Sequence, residues 1–187
     1  MDMHNIVLIG MPGTGKSTVG VILAKRLGYD FIDTDLLIIR EAGKTLPELL
    51  TEVGIQGFLE IEGRVGENLR CQKTVIATGG SMVFSENAMK ALRDHNVVIW
   101  LDTEPEELER RIRRNANRGI AAEPGTTVSD LYAVRRPLYD SYADIHIKCR
   151  NGTDRVVFQI IDALKQWKNK QRSRRRGNSG NRNTSQT

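Results

Sequence analysis

The apolar residues of this chain fall into short runs, separated by longer stretches in which apolar positions recur every three or four residues. Short runs without polar alternation are typical of strands buried on both faces, and the periodic stretches are typical of amphipathic helices. The predicted strands are, in chain order, residues 6–9, 31–32, 74–77, 97–101 and 145–147. Strands that alternate with helices predict an α/β fold, a three-layer domain in which a parallel sheet of about five short strands is flanked by helices.

Four helices are predicted from the periodic stretches. The first covers residues 16–27 and ends at Gly28, a residue that commonly terminates helices. The second follows a capping box of Thr103 and Glu106 and continues to residue 114. The other two begin near residues 127 and 153 and end near residues 142 and 167, with Pro137 expected to bend the former. Residues 115–125, which contain glycine and proline, are predicted to form a loop.

Length and composition favour a single compact domain. The chain has 187 residues, of which 39% are hydrophobic and 27% charged. No stretch approaches the roughly 20 apolar residues of a membrane-spanning helix, and no cleavable signal pattern is visible, so we expect a soluble cytoplasmic protein, with a monomer as the expected state. Two cysteines, Cys71 and Cys149, are too few for a disulfide framework, and neither has a partner at metal-ligand spacing.

The net charge of +5 belongs to the end of the chain. Residues 168–187 carry seven of the 28 basic residues and no acidic residue, which leaves 21 basic against 23 acidic residues in the first 167. This basic segment has almost no apolar side chain to bury, so we expect it to be disordered. The predicted organisation is therefore a domain over residues 1–167 and a basic tail over residues 168–187. We expect no nucleic-acid binding beyond weak polyanion binding by this tail.

The strongest chemical signal is the segment from Gly10 to Ser17, which matches the GxxxxGK[ST] phosphate-binding loop and lies between a predicted strand and a predicted helix. Backbone N–H groups of such a loop, together with the helix N-terminus, bind phosphate. The motif assigns Lys16 to the β and γ phosphates of ATP and the Ser17 hydroxyl to Mg²⁺. We expect Lys16 to face solvent when no phosphate is bound.

Asp33 and Asp35 follow the second predicted strand. Because ligands collect beyond the carboxyl ends of parallel strands, both carboxylates are expected on the phosphate side of the sheet. One carboxylate could hold the metal and its water shell, while the other could meet a substrate hydroxyl. The structural alternative is that Asp33 or Thr34 caps a helix that starts at Leu36.

The segments GMPGTGKST, FIDTD, ATGGS and RRPLY, in this order, resemble the shikimate kinase family of nucleoside-monophosphate-kinase-like proteins. The resemblance extends over about residues 5–167 and is far more specific than the phosphate loop alone. It implies a short parallel sheet flanked by helices, a mobile lid, and transfer of the ATP γ-phosphate to a hydroxyl of a small molecule. Mg²⁺ and ATP are the implied cofactors.

The resemblance also implies roles for individual residues. Lys16, Asp35 and Arg118 match catalytic positions, with Asp35 on the acceptor hydroxyl and Arg118 reaching the phosphates from the lid. Asp33 matches the acid near Mg²⁺ and Arg111 the residue that packs on adenine. The implied nucleotide-binding residues are Gly13, Thr14, Gly15, Lys16, Ser17, Thr18, Arg111 and Arg118, the acceptor-binding residues are Asp35, Gly79, Gly80 and Arg135, and the metal ligands are Ser17 and Asp33.

Arg111 and Arg135 also have structural interpretations. Arg111 could belong to a solvated helix face within Glu-Arg-Arg-Ile-Arg-Arg, and Arg135, which the resemblance assigns to the acceptor carboxylate, could be a surface ion-pair residue.

Four positions depart from the family pattern, and all lie in the acceptor half or the lid. Ile55 replaces an acidic residue, Leu59 replaces an arginine that binds the acceptor carboxylate, and Glu62 is the family partner of that missing arginine. Ser81 stands where a third glycine is usual, and Gly119 where proline is usual. Loss of a charge-assisted contact is tolerable only if another cation replaces it.

Three functions remain compatible with these residues. The first is a Mg-ATP-dependent kinase that converts shikimate to shikimate 3-phosphate. The second is a related kinase for a different hydroxylated acceptor. The third is a non-catalytic nucleotide-binding module with a polyanion-binding tail, which retention of Asp35 disfavours because nucleotide binding alone does not require it.

Overall fold

A computed structural model describes residues 5–114, 119–150 and 152–179. Its strands form one parallel sheet in the order β2-β3-β1-β4-β5, which confirms the predicted architecture. The strands are β1 (Asn5–Ile9), β2 (Asp30–Asp33), β3 (Thr74–Ala77), β4 (Val97–Asp102) and β5 (Ile145–Lys148). Each begins and ends within one residue of the prediction, because an apolar run bounded by polar residues marks a buried strand clearly.

Strand β1 lies at the centre of the sheet, and residues 6–9 are fully buried. The chain crosses from β1 to β2 at one edge, returns to β3 beside β1, and then continues to β4 on the opposite side of β1. The segments that follow β1 and β3 therefore diverge at the carboxyl ends of the strands. This divergence opens the crevice in which ligands of open α/β sheets bind.

Helices cover both faces of the sheet. Among the described residues they are α1 (Lys16–Leu27), α2 (Thr34–Ala42), α3 (Leu46–Asn68), α4 (Glu86–Arg93), α5 (Pro105–Arg114), α6 (Val128–Tyr142) and α7 (Thr153–Ser179). Helices α1 and α7 pack on one face, and α4, α5 and α6 contribute to the core on the other. No helix in the described part of the chain has both the length and the apolar character needed to cross a membrane.

Helix α3 is a long element that the periodicity analysis did not predict. It begins with a capping box of Thr45 and Glu48 and has Pro47 in its first turn, both of which favour helix initiation. At Gly54 the backbone leaves helical geometry (φ 70°, ψ 178°), so the element is two helical segments joined by a kink.

Two predicted helix boundaries were wrong. Helix α5 begins at Pro105, so a capping box would fall on residues 104 and 107, one position later than Thr103 and Glu106.

Helix α7 does not end at Trp167 but continues to Ser179, so residues 168–179 are helical where we expected disorder. Its lysine, arginine and glutamine residues are good helix formers, and a helix already nucleated by its packed first half propagates at low cost. The division of the chain at residue 167 stays a prediction.

Candidate active site

A pocket of about 180 Å³ lies at the carboxyl ends of β1, β2 and β3. It unites six of the residues singled out in the sequence, namely Lys16, Ser17, Asp33, Asp35, Gly80 and Arg135. A phosphate-binding loop thus shares one cavity with two carboxylates and one arginine. Gly13 and Gly15 also line it, so the pocket continues along the phosphate loop.

The side chain of Lys16 lies inside the phosphate loop. Its ammonium group donates hydrogen bonds to the carbonyl oxygens of Gly10 and Met11 at 2.7 and 2.9 Å, and the residue is 8% exposed. The expectation that Lys16 faces solvent was therefore wrong, because loop carbonyls provide acceptors that a buried ammonium requires. These contacts hold the ammonium beside the loop backbone that is predicted to bind phosphate.

The N-terminus of α1 points at the same loop. Gly15 is the N-cap residue and offers no side-chain acceptor, and the first turn contains no acidic residue. An uncapped helix start with Lys16, Ser17 and Thr18 in its first turn is a favourable place for an anion, because N–H groups and the helix dipole both point toward it.

A second cavity of about 360 Å³ adjoins the outer side of the phosphate loop. Its lining includes Gly13, Thr14, Gly15, Thr18, Arg111 and residues around the start of α7. The Arg111 guanidinium donates to the carbonyl oxygens of Gly13 and Thr14, both at 3.3 Å, and to Glu107 at 2.7 Å. Arg111 is thus attached to the loop rather than exposed on a solvated helix face. The cavity can accommodate the base and sugar of a nucleotide whose phosphates occupy the loop.

Asp33 and Asp35 lie where β2 passes into α2. Asp33 is the N-cap residue of α2, and its Oδ1 accepts a hydrogen bond from the Asp35 backbone N–H at 3.0 Å. The capping interpretation of Asp33 is confirmed, with the helix starting at Thr34 rather than Leu36. Capping does not remove Asp33 from the site, since both carboxylates line the pocket.

Gly80 lines the pocket and Gly79 lies directly behind two of its acids, at positions where no side chain fits. A Cβ on Gly79 would collide with Glu62 Oε1 and lie 2.8 Å from Asp35 Oδ1. A Cβ on Gly80 would lie 2.6 Å from Pro12 and 3.1 Å from Arg135 Nη1. The Gly79 N–H also donates to the Thr34 hydroxyl at 3.0 Å. This close approach of backbone to functional side chains explains why these positions are glycine.

Arg135 is a buried arginine, and two of its donors have no partner in the part of the chain that the structure describes. It is 1% exposed, and its Nη2 donates to the Ala121 carbonyl oxygen at 2.9 Å. Its Nε and Nη1 have no hydrogen-bond partner among the described residues, and its guanidinium carbon lies 5.5 Å from the centre of the Phe84 ring. The surface ion-pair interpretation of Arg135 is therefore wrong, because the side chain lies in the pocket.

Two tyrosines of α6 fix the position of Arg135. Tyr139 OH donates to the Gly80 carbonyl oxygen at 2.6 Å, and Tyr132 OH donates to Asp102 at 2.8 Å. Asp102 also contacts His146 Nε2 at 2.9 Å, and the His146 ring stacks on Trp100. Helix α6 is thus attached to β4 on one side of Arg135 and to the turn after β3 on the other.

Glu62 is the site residue whose environment the sequence did not reveal. It is 1% exposed, lines the pocket with Arg135, and its Oε2 has no partner among the described residues. The pKa of Glu62 is raised to about 7: burial raises it most and the charge of the nearby Asp35 adds to this, whereas a hydrogen bond with Ser81 and the charges of Arg135 and Lys16 lower it. One sequence signal was present: Glu62 follows the apolar Phe58 by four residues, which places both on one helix face.

The departures at Ile55 and Leu59 place two aliphatic side chains on an open groove beside the pocket. Both residues line a groove of about 820 Å³ that also reaches Phe84 and Arg135. The family pattern has a charged residue at each of these two positions. Charged side chains also line this groove, namely Glu60, Arg64, Glu67 and Glu123, so the two departures remove charge at their own positions only.

Gly119 lies at the pocket beside the start of α3. A Cβ at this position would lie 2.8 Å from the carbonyl carbon of Leu46 and 2.8 Å from Pro47 N, so glycine permits this close contact. Arg118, predicted to act from the lid, lies outside the described residues.

These features define a class of protein, a phosphate-loop kinase domain with a nucleotide site and a separate acceptor pocket. The sequence model of the shikimate kinase family matches residues 12–165. The chain is 38% identical over 171 residues to the shikimate kinase of Symbiobacterium thermophilum, covering 87% of this chain and 97% of that protein. It is 39% identical over 163 residues to the shikimate kinase of Rhodopseudomonas palustris, covering 85% and 80% of the two chains.

Solved structures agree with the sequence relatives. The shikimate kinase from Acinetobacter baumannii in complex with shikimate superimposes with a TM-score of 0.82 at 31% identity, covering 88% of this chain and 94% of that one. A gluconokinase from Sinorhizobium meliloti shares the fold, with a TM-score of 0.53 at 18% identity. The chain belongs to the shikimate kinase family.

Proposed function

We propose that this protein transfers the γ-phosphate of ATP to a hydroxyl of a small carboxylic acid, and that the acid is shikimate, which becomes shikimate 3-phosphate. The observation that carries the proposal is the buried Arg135 guanidinium, whose Nε and Nη1 have no hydrogen-bond partner in the described part of the chain, in the pocket that also contains Lys16 and Asp35. Buried charged donors without partners are costly, and a ligand carboxylate would satisfy both through paired charge-assisted hydrogen bonds. The shikimate complex of the Acinetobacter baumannii relative supports the same acceptor.

The arrangement supports phosphoryl transfer through positioning and charge. Lys16 and the N–H groups at the start of α1 would hold the phosphates, while Arg135 would hold the acceptor by its carboxylate. Asp35 would accept the proton of the acceptor hydroxyl as its oxygen bonds to the γ-phosphorus. The bond between that phosphorus and the β–γ bridging oxygen breaks, and ADP leaves with the electron pair. The predicted lid residue Arg118 would stabilise the charge of the transferred group, and Arg111 would contact the base.

Ser17 and Asp33 fit a magnesium ion. Both line the pocket, and both offer oxygen ligands of the kind Mg²⁺ prefers. No cluster of three or more acidic, histidine or cysteine side chains suited to a metal occurs among the described residues. That is compatible with Mg²⁺, which in kinase sites is bound through one or two protein groups together with phosphates and water. When bound, the ion would neutralise phosphate charge.

The groove beside Leu59 favours a second candidate, a kinase for a hydroxylated acid larger than shikimate. The pocket itself encloses about 180 Å³, whereas the groove that continues past Arg135 encloses about 820 Å³. An acceptor with an apolar substituent would place that substituent against Ile55 and Leu59. Such an acceptor keeps the carboxylate contact with Arg135 and the hydroxyl contact with Asp35.

An acceptor panel tests both candidates. The purified protein is incubated with ATP, Mg²⁺ and either shikimate, quinate, gluconate or a shikimate carrying an alkyl substituent, and the phosphorylated product is identified by ³¹P NMR. We expect kcat/KM to be highest for shikimate. A kcat/KM at least tenfold higher for the substituted acid would favour the second candidate, and absence of any phosphorylated acid would contradict both.

A further inference from the structure

The acceptor end of the site contains more acids than cations. Among the described residues that line the pocket, the carboxylates are Asp33, Asp35 and Glu62, and the cations are Lys16 and Arg135. Lys16 is bound to the phosphate loop and is assigned to ATP. Arg135 therefore has to serve both the buried Glu62 and an incoming carboxylate. Leu59 provides no second cation, and Arg64, which lines the adjoining groove, is exposed and does not line the pocket itself.

We infer that this protein binds the carboxylate of its acceptor together with one proton, which Glu62 takes up, so that Glu62 in its neutral form is an acceptor-binding residue. The inference deepens the proposed function and rests on it. Two carboxylates in one buried site cannot both remain charged beside a single guanidinium, because like charges at short distance disfavour ionisation of one of them.

The surroundings of Glu62 permit both of its protonation states. From the side of α2 it faces the charge of Asp35, from α6 it faces Arg135 and Tyr139, and from the phosphate loop it faces Lys16. Ser81 shares a hydrogen bond with Glu62. A serine hydroxyl can donate to a carboxylate and accept from a carboxylic acid, whereas the glycine usual at this position could do neither.

The neutral form also supplies a hydrogen-bond donor where the family arginine is missing. Glu62 and Arg135 line the same pocket, and Glu62 Oε2 and Arg135 Nε and Nη1 are buried without a partner among the described residues. A protonated Glu62 can donate to one oxygen of a ligand carboxylate while Arg135 donates to it as well. The pKa of Glu62, raised by burial to about 7, makes this protonation accessible at neutral pH.

The pH dependence of KM for shikimate tests the inference between pH 6 and 9. We expect KM to be nearly constant below about pH 7 and to rise toward tenfold per pH unit above it. Above that pH Glu62 is ionised in the free protein, so it must take up a proton each time shikimate binds. The KM for ATP should not follow this dependence. In Glu62→Gln, which donates a hydrogen bond at every pH, KM for shikimate should be flat, while the matched variant Glu41→Gln, at an exposed acid of α2 away from the cavities described above, should behave like the wild type.

Calorimetry provides a second readout that does not depend on a variant. Shikimate binding at pH 8 in buffers of different ionisation enthalpy should show uptake of close to one proton, and the methyl ester of shikimate, which lacks the carboxylate, should show none. A wild-type KM that does not change with pH, or binding without proton uptake, contradicts the inference while leaving the proposed function intact. If the protein phosphorylates shikimate at no pH, both the inference and the proposed function are contradicted.

Discussion

Leu59→Arg restores the basic residue of the family pattern at the acceptor pocket. Residue 59 precedes Glu62 by three positions on α3, so an arginine there can reach the Glu62 carboxylate, whose Oε2 has no partner among the residues that the structure describes. Leu59 is half-buried and lines the open groove, so the arginine stem can cover apolar surface while the guanidinium lies toward the groove. The substitution therefore adds a cation without sealing it in the core.

The expected gain is in acceptor binding. A charge-assisted hydrogen bond stabilises by about 1.5–3 kcal/mol, which corresponds to a roughly ten- to hundredfold lower KM for shikimate. Desolvation of the new guanidinium favours the lower end of that range. The kcat should change little, because the carboxylate is remote from the transferred phosphoryl group.

The assay is ADP release measured against shikimate concentration at saturating ATP. Leu59→Met serves as the matched variant of similar volume without charge, and its KM should remain within a few-fold of the wild type. A Leu59→Arg enzyme with unchanged KM for shikimate would refute the reasoning that residue 59 faces the acceptor carboxylate.

Four further predictions follow from the site. Lys16→Ala should abolish ADP release and also lower the unfolding midpoint slightly, because two loop hydrogen bonds are lost; unchanged turnover would disprove the phosphate-loop assignment. Asp35→Asn should keep ATP affinity within a few-fold by calorimetry and lose most transfer, whereas collapse of ATP binding with Mg²⁺ present would place Asp35 in the metal site. A chain ending at Trp167 should retain kcat, and a tenfold loss would show that the basic segment contributes to the site. The folded-state pKa of Glu62 is raised above its unfolded value, so the unfolding free energy of the wild type should fall relative to Glu62→Gln as pH rises from about 4.5 through 7, by up to about 3 kcal/mol. Equal pH profiles of the unfolding free energy in the two proteins would contradict burial of Glu62 as a charged group.

The sheet and phosphate loop could be predicted because their signals are local. An apolar run followed by a glycine-rich loop and an amphipathic helix determines β1, the loop and α1 almost without reference to the rest of the chain. Helix α3 could not be predicted in the same way. Gly63 and Gly66 weaken its helical pattern, yet an added Cβ there would lie 2.8 Å from Ser85 Oγ and 2.5 Å from Met82 Sδ, respectively. These glycines are required by packing between distant segments, which periodicity does not report.

The acceptor site was predictable as a set of residues but not as an electrostatic arrangement. The motifs identified Asp35 and Arg135, and the structure places both in one pocket. The burial of Lys16 depends on the carbonyl groups of the folded loop. The burial of Glu62 depends on the turn that contains Ser81, which the fold brings next to α3. Charge balance inside the pocket is therefore a property of tertiary structure.

Arg135 provides the most direct test of the account, because it is the group assigned to the acceptor carboxylate. The measurement is KM for shikimate in Arg135→Gln, compared with Arg136→Gln, which removes the exposed neighbouring arginine on the same helix. We predict that Arg135→Gln raises KM for shikimate at least tenfold while ATP affinity, measured by calorimetry, stays within a few-fold, and that Arg136→Gln behaves like the wild type. An Arg135→Gln enzyme that folds, binds ATP and keeps the wild-type KM for shikimate would contradict the central claim.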